Sequence, residues 1–378
     1  MSVNKYRKRY QQKRNYSIGV EEEFMICDPN SGILIDKANE IMESVLDKNR
    51  YSYELLLSEI ETNTPICETA SESVEFLSNQ RKELREIGKK NGFKIGISGT
   101  HPTAKASDQN FVTNNSYNWV SYQLRYYAQR NITFSTHIHI SVDDPDRAIK
   151  ITNATRRWIP ALLAISTNSP FFEGENTGFR SSRTMQFGAF PKTNIPVKID
   201  SFESYISLVE TLVKTKSIQK SRQIWWKIRP HLDYGTLEYR ICDVQRSLRR
   251  TKMLVALTQA LVHSYDQKVR LNKNIEDMNY EILNDAFWKS MRFGFDADLT
   301  DCFDGQKLSL KDYIYKMIDN IYPSLEELDN LEAIKLVEEI IDKGTEADQQ
   351  LHFEKENGID SLLCFLMENV QYDVNSSN

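Results

Sequence analysis

The sequence predicts an α+β fold built on an antiparallel sheet. Three observations carry this. Strand-like segments interleave with long helical ones without the regular alternation of βαβ units, and no glycine-rich phosphate loop follows any strand. No internal repeat, low-complexity tract or Pro/Gly/Ser linker divides the 378 residues. The expected organisation is one domain over 16–372, with a basic flexible tail at 1–15 and a flexible C-terminus at 373–378.

In chain order, 16–27 reads as a strand, closed by the turn Asp28-Pro-Asn-Ser-Gly32, whose Pro and Gly suit turn geometry. A short hairpin partner is expected at 33–35. Residues 53–64 read as strand or helix, stopped by Pro65. Apolar residues at helical spacing (Val74, Leu77, Leu84, Ile87) predict a helix over 71–90, ended by Asn91-Gly92. Short strands are expected at 93–98 and, with strict alternation, at 132–142, the latter closed by Asp144-Pro145. Helices follow at 147–167, kinked by Pro160, and at 202–216. Two strands at 224–230 and 236–243 are joined across His231-Leu-Asp-Tyr-Gly235. A long helix covers 247–272, and the chain beyond 279 reads as mainly helical.

The composition excludes several classes. With 40% hydrophobic and 11% aromatic residues, and only 10 Pro and 14 Gly, the chain is not disordered. No apolar run approaches a membrane span. A net charge of −5, from 53 acidic and 48 basic residues, argues against a general nucleic-acid binder. The five cysteines (Cys27, Cys67, Cys242, Cys302, Cys364) are dispersed and form no CxxC pair, which favours a reducing cytoplasm over a disulfide framework or zinc knuckle.

Four strands place charged or metal-competent side chains on one face. In Gly19-Val-Glu-Glu-Glu-Phe24 the two-residue period sets Glu21 and Glu23 against Val20, Glu22 and Phe24. Two like charges on one face need water or a cation between them; a solvated edge is the alternative. Thr136-His-Ile-His-Ile140 puts His137 and His139 on one side, as a metal pair or as an ordinary core or surface pair. Ser58-Glu-Ile-Glu-Thr62 aligns Glu59 with Glu61, unless this segment is helical. Glu238 and Arg240 share a face in Thr236-Leu-Glu-Tyr-Arg-Ile-Cys-Asp243, where a salt bridge is the simpler reading. Taken together, Glu21, Glu23, Glu61, His137 and Glu238 suit hard divalent cations, with Arg240 left for a phosphate. Mg²⁺ bridging nucleotide phosphates is the expected partner of such a set. Arg180, Arg183 and Arg229 offer planar donors for a carboxylate or phosphate, or are surface charges. Trp225-Trp226 reads as core packing before substrate stacking.

Ile18-Gly-Val-Glu-Glu-Glu-Phe24, Glu61-Thr-Asn-Thr-Pro-Ile-Cys67, Thr136-His-Ile-His-Ile140, Arg180-Ser-Ser-Arg-Thr-Met185, Ile224-Trp-Trp-Lys-Ile-Arg-Pro230 and Gly235-Thr-Leu-Glu-Tyr-Arg-Ile-Cys-Asp243 resemble, in this order, the signature blocks of the carboxylate–amine ligases. These form the second glutamate–cysteine ligase family, related to glutamine synthetase. The resemblance implies a curved antiparallel sheet forming a funnel with helices outside, and an ATP-dependent ligase using Mg²⁺. It implies Glu21, Glu23, Glu61, His137 and Glu238 as metal or metal–nucleotide ligands and Arg240 as the phosphate-contacting arginine. Arg240 and Glu61 are then the catalytic pair, with His139 on the nucleotide side and Arg180, Arg183 and Arg229 toward the substrates. The stretch Thr184-Met-Gln-Phe-Gly-Ala-Phe-Pro191 departs from the Trp-rich stretch usual in that family.

The expected reaction joins a carboxylate, such as the γ-carboxylate of glutamate, to an amine through an acyl phosphate. The expected partners are two small molecules in the cytoplasm, with no nucleic acid and no membrane, and a homodimer is the assembly entertained. Two alternatives stand: a metal-dependent hydrolase using His137 and His139, and a nucleotide-binding protein without ligase activity.

Overall fold

A computed structural model describes residues 3–11, 14–113, 115–273 and 278–374. Its strands run β1 (Ile18–Cys27), β2 (Tyr51–Tyr53), β3 (Glu59–Asn63), β4 (Lys94–Gly96), β5 (Ser135–Ser141), β6 (Phe171–Phe172), β7 (Glu175–Asn176), β8 (Ile228–His231), β9 (Thr236–Asp243), β10 (Asp298–Thr300) and β11 (Lys307–Ser309). Seven of them form an antiparallel sheet in the order β2-β3-β1-β5-β9-β8, with β4 also paired to β1. The sheet is open, because β2 and β8 end it without pairing to each other. β6–β7 and β10–β11 are separate two-stranded hairpins.

The two faces of the sheet differ as the strand alternation requires. Val20, Ile138, Ile140, Leu237, Tyr239, Ile241 and Ile228 are buried in one apolar core with residues of the helices Ala70–Asn91, Pro145–Thr155, Ile159–Ser166 and Leu248–Arg270. A second core surrounds Phe24, Met25 and Ile26 of β1 and the C-terminal helix Ile359–Glu368. The helix Ala70–Asn91 matches its predicted span and stops at Gly92, which takes the left-handed conformation (φ 72°) of a helix C-terminus. Within the helical side Glu22 is fully buried and meets Arg81 of this helix at 2.6 Å.

Several expectations are refined. The predicted helix over 147–167 is three pieces: Pro145–Thr155, a 3₁₀ turn Arg156–Trp158, and Ile159–Ser166 with Pro160 in its first turn. Proline lacks the N–H that would continue the helix and tolerates only that first turn. The 53–64 ambiguity resolves into β2, a connection over 54–58, and β3. The hairpin partner at 33–35 shrinks to one bridge between Cys27 and Leu34. The strand expected from 224 starts only at Ile228, because Arg229 donates back to the carbonyls of Arg222 and Ile224 (2.8 Å to Ile224) and folds the preceding segment over itself.

Within the expected flexible tail at 1–15, the described part is corrected: Val3–Gln11 is a helix with Tyr6 and Tyr10 buried, while 1–2 and 12–13 lie outside the described residues. Arg7 pairs with Asp146 and Glu203, Arg9 with Asp233, and the Tyr10 hydroxyl donates to the His231 carbonyl at 3.5 Å. Apolar burial and opposite charges on the body outweigh the solvation of this basic segment. Gly235, at φ 67°, lets the helix approach, since a Cβ there would sit 2.9 Å from the Arg9 carbonyl oxygen. At the other end, Asp373 pairs with Lys82 at 3.3 Å and Val374 packs on the first core, while 375–378 lie outside the described residues.

Candidate active site

Cross-strand register assembles the polar face of the sheet. In the β1–β5 pairing Glu21 lies opposite His137, and in β1–β3 Glu23 lies opposite Glu61. Glu238 of β9 faces His139 on one side and Arg229 on the other. The β5–β9 register shifts between Thr136 and Ile138, so His137 sits at an irregularity that leaves it without a β9 partner. Such bulges re-aim a side chain.

Glu21, Glu23, Glu61, His137, Arg229 and Glu238 line a cavity of about 640 Å³. Glu21, Glu23, Glu54, Glu59, Glu61 and Glu238 contribute carboxylates; Arg183, Lys220, Arg222, Arg229 and Arg240 contribute cations. Phe187, Phe190 and Trp225 add aromatic wall. His137 Nδ1 is 2.9 Å from Glu21 Oε2, its Nε2 is 2.7 Å from Ser135 Oγ, and Ser135 donates to Glu23 at 2.6 Å. Arg229 donates through Nε to Glu238 at 2.8 Å, and Arg240 pairs with the other oxygen of the same carboxylate.

The charges divide into two populations. Burial alone would push the Glu238 carboxyl up, but Arg229, Arg240 and His139 hold it well below the usual range. Glu21 is likewise held low against its burial by His139 and His137. Burial, together with Glu23 and Glu59, raises Glu54; burial with Glu23 raises Glu59; burial with Glu21, Glu54 and Glu23 raises Glu61. Burial and Arg240 lower His137, which keeps its imidazole neutral, the form that ligates metals.

The donor set fits divalent cations. Glu21, His137 and Glu238 form one group, and Glu23, Glu61 and His137 a second, with ligand atoms in each within 4.8 Å of one another. Crowded oxygen donors that resist ionising beside each other are what a hard cation relieves. A cation in the second group must displace the proton from Glu61, so its affinity rises as pH rises toward that elevated value. The increase in melting temperature on adding Mg²⁺ is therefore expected to be larger at pH 8 than at pH 6. Equal shifts at both pH values would show that binding displaces no proton from Glu61, and no shift at either would show that the site takes no Mg²⁺.

Of the sequence-predicted residues, Glu21, Glu23, Glu61, His137, Glu238, Arg183, Arg229 and Arg240 meet in this cavity. Arg180 does not: it pairs with Asp348 at 2.9 Å and approaches Asp296, away from the lining. The correction has a local cause, since Arg180 precedes the short helix Ser182–Phe187 and leaves on its other side, beside Gly294. His139 is also not part of the lining; its Nδ1 meets Thr236 Oγ1 at 2.9 Å and its Nε2 lies 3.3 Å from Glu21, so it braces a carboxylate from behind. Neither metal-competent group includes His139, which removes the second imidazole from the hydrolase alternative.

Comparison with known proteins gives the arrangement a family. The model of glutamate–cysteine ligase family 2 matches residues 17–362. The chain belongs to glutamate–cysteine ligase family 2. It is therefore a carboxylate–amine ligase by family. A Thermobifida fusca relative named "Putative glutamate--cysteine ligase 2" is 31% identical over 91% of this chain and 88% of its own length. The fold is shared with a glutamate–cysteine ligase of Francisella tularensis solved with AMP (TM-score 0.74, 14% identity, 96% of this chain and 89% of that one). It is shared too with a bifunctional glutathione synthetase of Pasteurella multocida (TM-score 0.69, 15% identity, 97% and 53%). The expected α+β fold class on a curved antiparallel sheet holds.

Sequence reasoning missed Glu54 as a member of the site, because it lies on the β2–β3 connection, where no period reports orientation. Glu59 was legible as the alternation partner of Glu61. Trp225 and Trp226 divide: Trp225 lines the cavity against Phe190 (5.5 Å between centroids), while Trp226 packs with Tyr205. His101 is structural, with Nε2 2.9 Å from the Gly32 carbonyl, and burial lowers it to about 4.

Proposed function

We propose that this protein is an ATP- and Mg²⁺-dependent ligase that joins a carboxylate to an amine through an acyl phosphate, with glutamate and cysteine as the first pair to test. The observation that carries the reading is the meeting, inside one cavity, of six glutamates with Arg183, Arg229 and Arg240. Mg²⁺, when held by Glu21, Glu23, Glu61, His137 and Glu238, supplies charge neutralisation for the triphosphate.

The chain's own groups do the rest. An oxygen of the substrate carboxylate attacks the γ-phosphorus, ADP departs, and the amine nitrogen then attacks the acyl carbon, losing a proton as phosphate leaves. Arg240, held by Glu238, donates to the transferring phosphoryl oxygens, where positioned cations lower the barrier most. Arg229 fixes Glu238 from the neighbouring strand, so the phosphate-facing arginine keeps its orientation. His231 and Tyr234 stack at 4.3 Å beside the cavity and give a flat wall against which a substrate is packed.

No described helix is long and apolar enough to cross a membrane. The five cysteines are free, and we place the protein in the cytoplasm, where ATP is available. The test is ADP release across paired acids and amines in Mg²⁺, with mass spectrometry of the product. The reading expects release only when both partners are present, and a product mass equal to their sum less one water. Tight ATP binding without release for any pair would instead identify a nucleotide-binding protein.

A further inference from the structure

Lys227 is a buried amine that neither the fold nor the mechanism above uses. Its carbonyl accepts the Arg240 N–H at 2.9 Å, extending the β8–β9 ladder by one residue. The two-residue period then sets its side chain on the sheet face that carries Arg229, opposite Ile228 in the core, behind the cavity lining, to which Lys227 itself does not belong. The residue is 1% exposed, and Nζ has no hydrogen-bond partner among the described residues. Its ammonium position lies 4.9 Å from the ring centroid of Phe187, which lines the cavity.

The charges acting on Lys227 are mainly Arg183 and Arg240, both cavity-lining cations. Each of these also has a buried Nε without a partner. Asp243 acts weakly in the other direction and is already taken up by the Asn168 N–H, Ser169, Ser181 and Arg183. Burial first, then the two guanidinium groups, push the amine well below the usual lysine range. Lys227 lies across the ladder from Arg240, and Arg183 donates to the Arg240 and Ile241 carbonyls, so three basic side chains meet near Phe187. Arg240 is taken up by Glu238 and the transferring phosphoryl group, which leaves Lys227 and Arg183 with unused donors for another anion. The corner suits an organic carboxylate.

We propose that Lys227, with Arg183, binds a substrate carboxylate other than the one being activated, and so sets substrate specificity; this rests on the ligase reading above. The test is Lys227→Met, which keeps the length and removes the charge. ADP release is measured with L-glutamate against 4-aminobutanoate, which lacks the second carboxylate, and with L-cysteine against cysteamine. Wild type is expected to prefer the carboxylate-bearing member of one pair, and the variant to lose about 10- to 100-fold of that preference through KM, with KM for ATP unchanged. Which pair collapses says whether the anion is on the acid or on the amine. Without substrate the variant should melt no lower than wild type, because an unpaired buried amine is removed; a marked drop would mean that the amine serves the fold. Unchanged preferences overturn the proposal. If wild type releases no ADP with any pair, the ligase reading fails separately, and thermal shifts decide this one. A shift with L-glutamate or L-cysteine that K227M loses supports it; equal or absent shifts overturn it.

Discussion

Arg240→Ala is expected to lower the rate of ADP release by on the order of 10³-fold, the scale at which an arginine stabilises phosphoryl-transfer charge. Burial opposes its charge, while Glu238 and Glu21 favour it, so the guanidinium is held ionised at the cavity wall. Its Nε is buried without a partner, a donor left over after Glu238 is satisfied. The fold is expected to survive, because Glu238 keeps Arg229 on its other oxygen and the alanine removes one of three neighbouring cations. Steady-state kinetics with the best substrate pair, alongside a thermal melt, checks both halves. Near-normal turnover in a folded variant would remove Arg240 from the chemistry.

Arg81→Ala is expected to destabilise the protein by about 3–5 kcal/mol, the usual result of stripping one partner from a buried ion pair. Arg81 and Glu22 are both fully buried, bonded through Nε (3.0 Å) and Nη2 (2.6 Å). The guanidinium also donates to the carbonyls of Arg246 (2.9 Å), Gln371 (3.1 Å) and Gln245 (2.8 Å). One side chain therefore ties β1 to the turn entering the helix Leu248–Arg270 and to the C-terminal segment. Since Glu22 lies between Glu21 and Glu23, this anchor also sets how β1 presents its two site carboxylates. Urea unfolding measures the loss, and the double variant with Glu22→Gln should recover part of it, because the stranded charge is gone. A loss below about 1 kcal/mol for Arg81→Ala would show that the pair contributes no more than an exposed one.

The alternation in Glu21-Glu22-Glu23 was enough to separate site from core, because a strand's period of two is a local property. The same alternation did not reveal that Glu22 has a partner, since Arg81 is 59 positions away on a helix. Arg183 and Arg180 occupy the same motif, yet only Arg183 enters the cavity. Its direction is set by carbonyls of Ile241 and Arg240, on a strand distant in sequence. The basic N-terminus was misread for a related reason: composition reports the solvation of six cations but not the docking surface formed by Asp146, Glu203 and Asp233.

By itself the sequence determined the family, the antiparallel character of the sheet and the face on which Glu21, Glu23, Glu61, His137, Glu238 and Arg240 stand. All of these follow from short-range period and from ordered motifs. Tertiary structure alone decided which strands lie side by side, and with them the shared His137, the recruitment of Glu54 from a connection, the withdrawal of His139 and Arg180, and the convergence of Lys227 with Arg183 and Arg240. Register and burial are long-range outcomes of packing, and charge in a cavity acquires its meaning only from the neighbours that packing supplies.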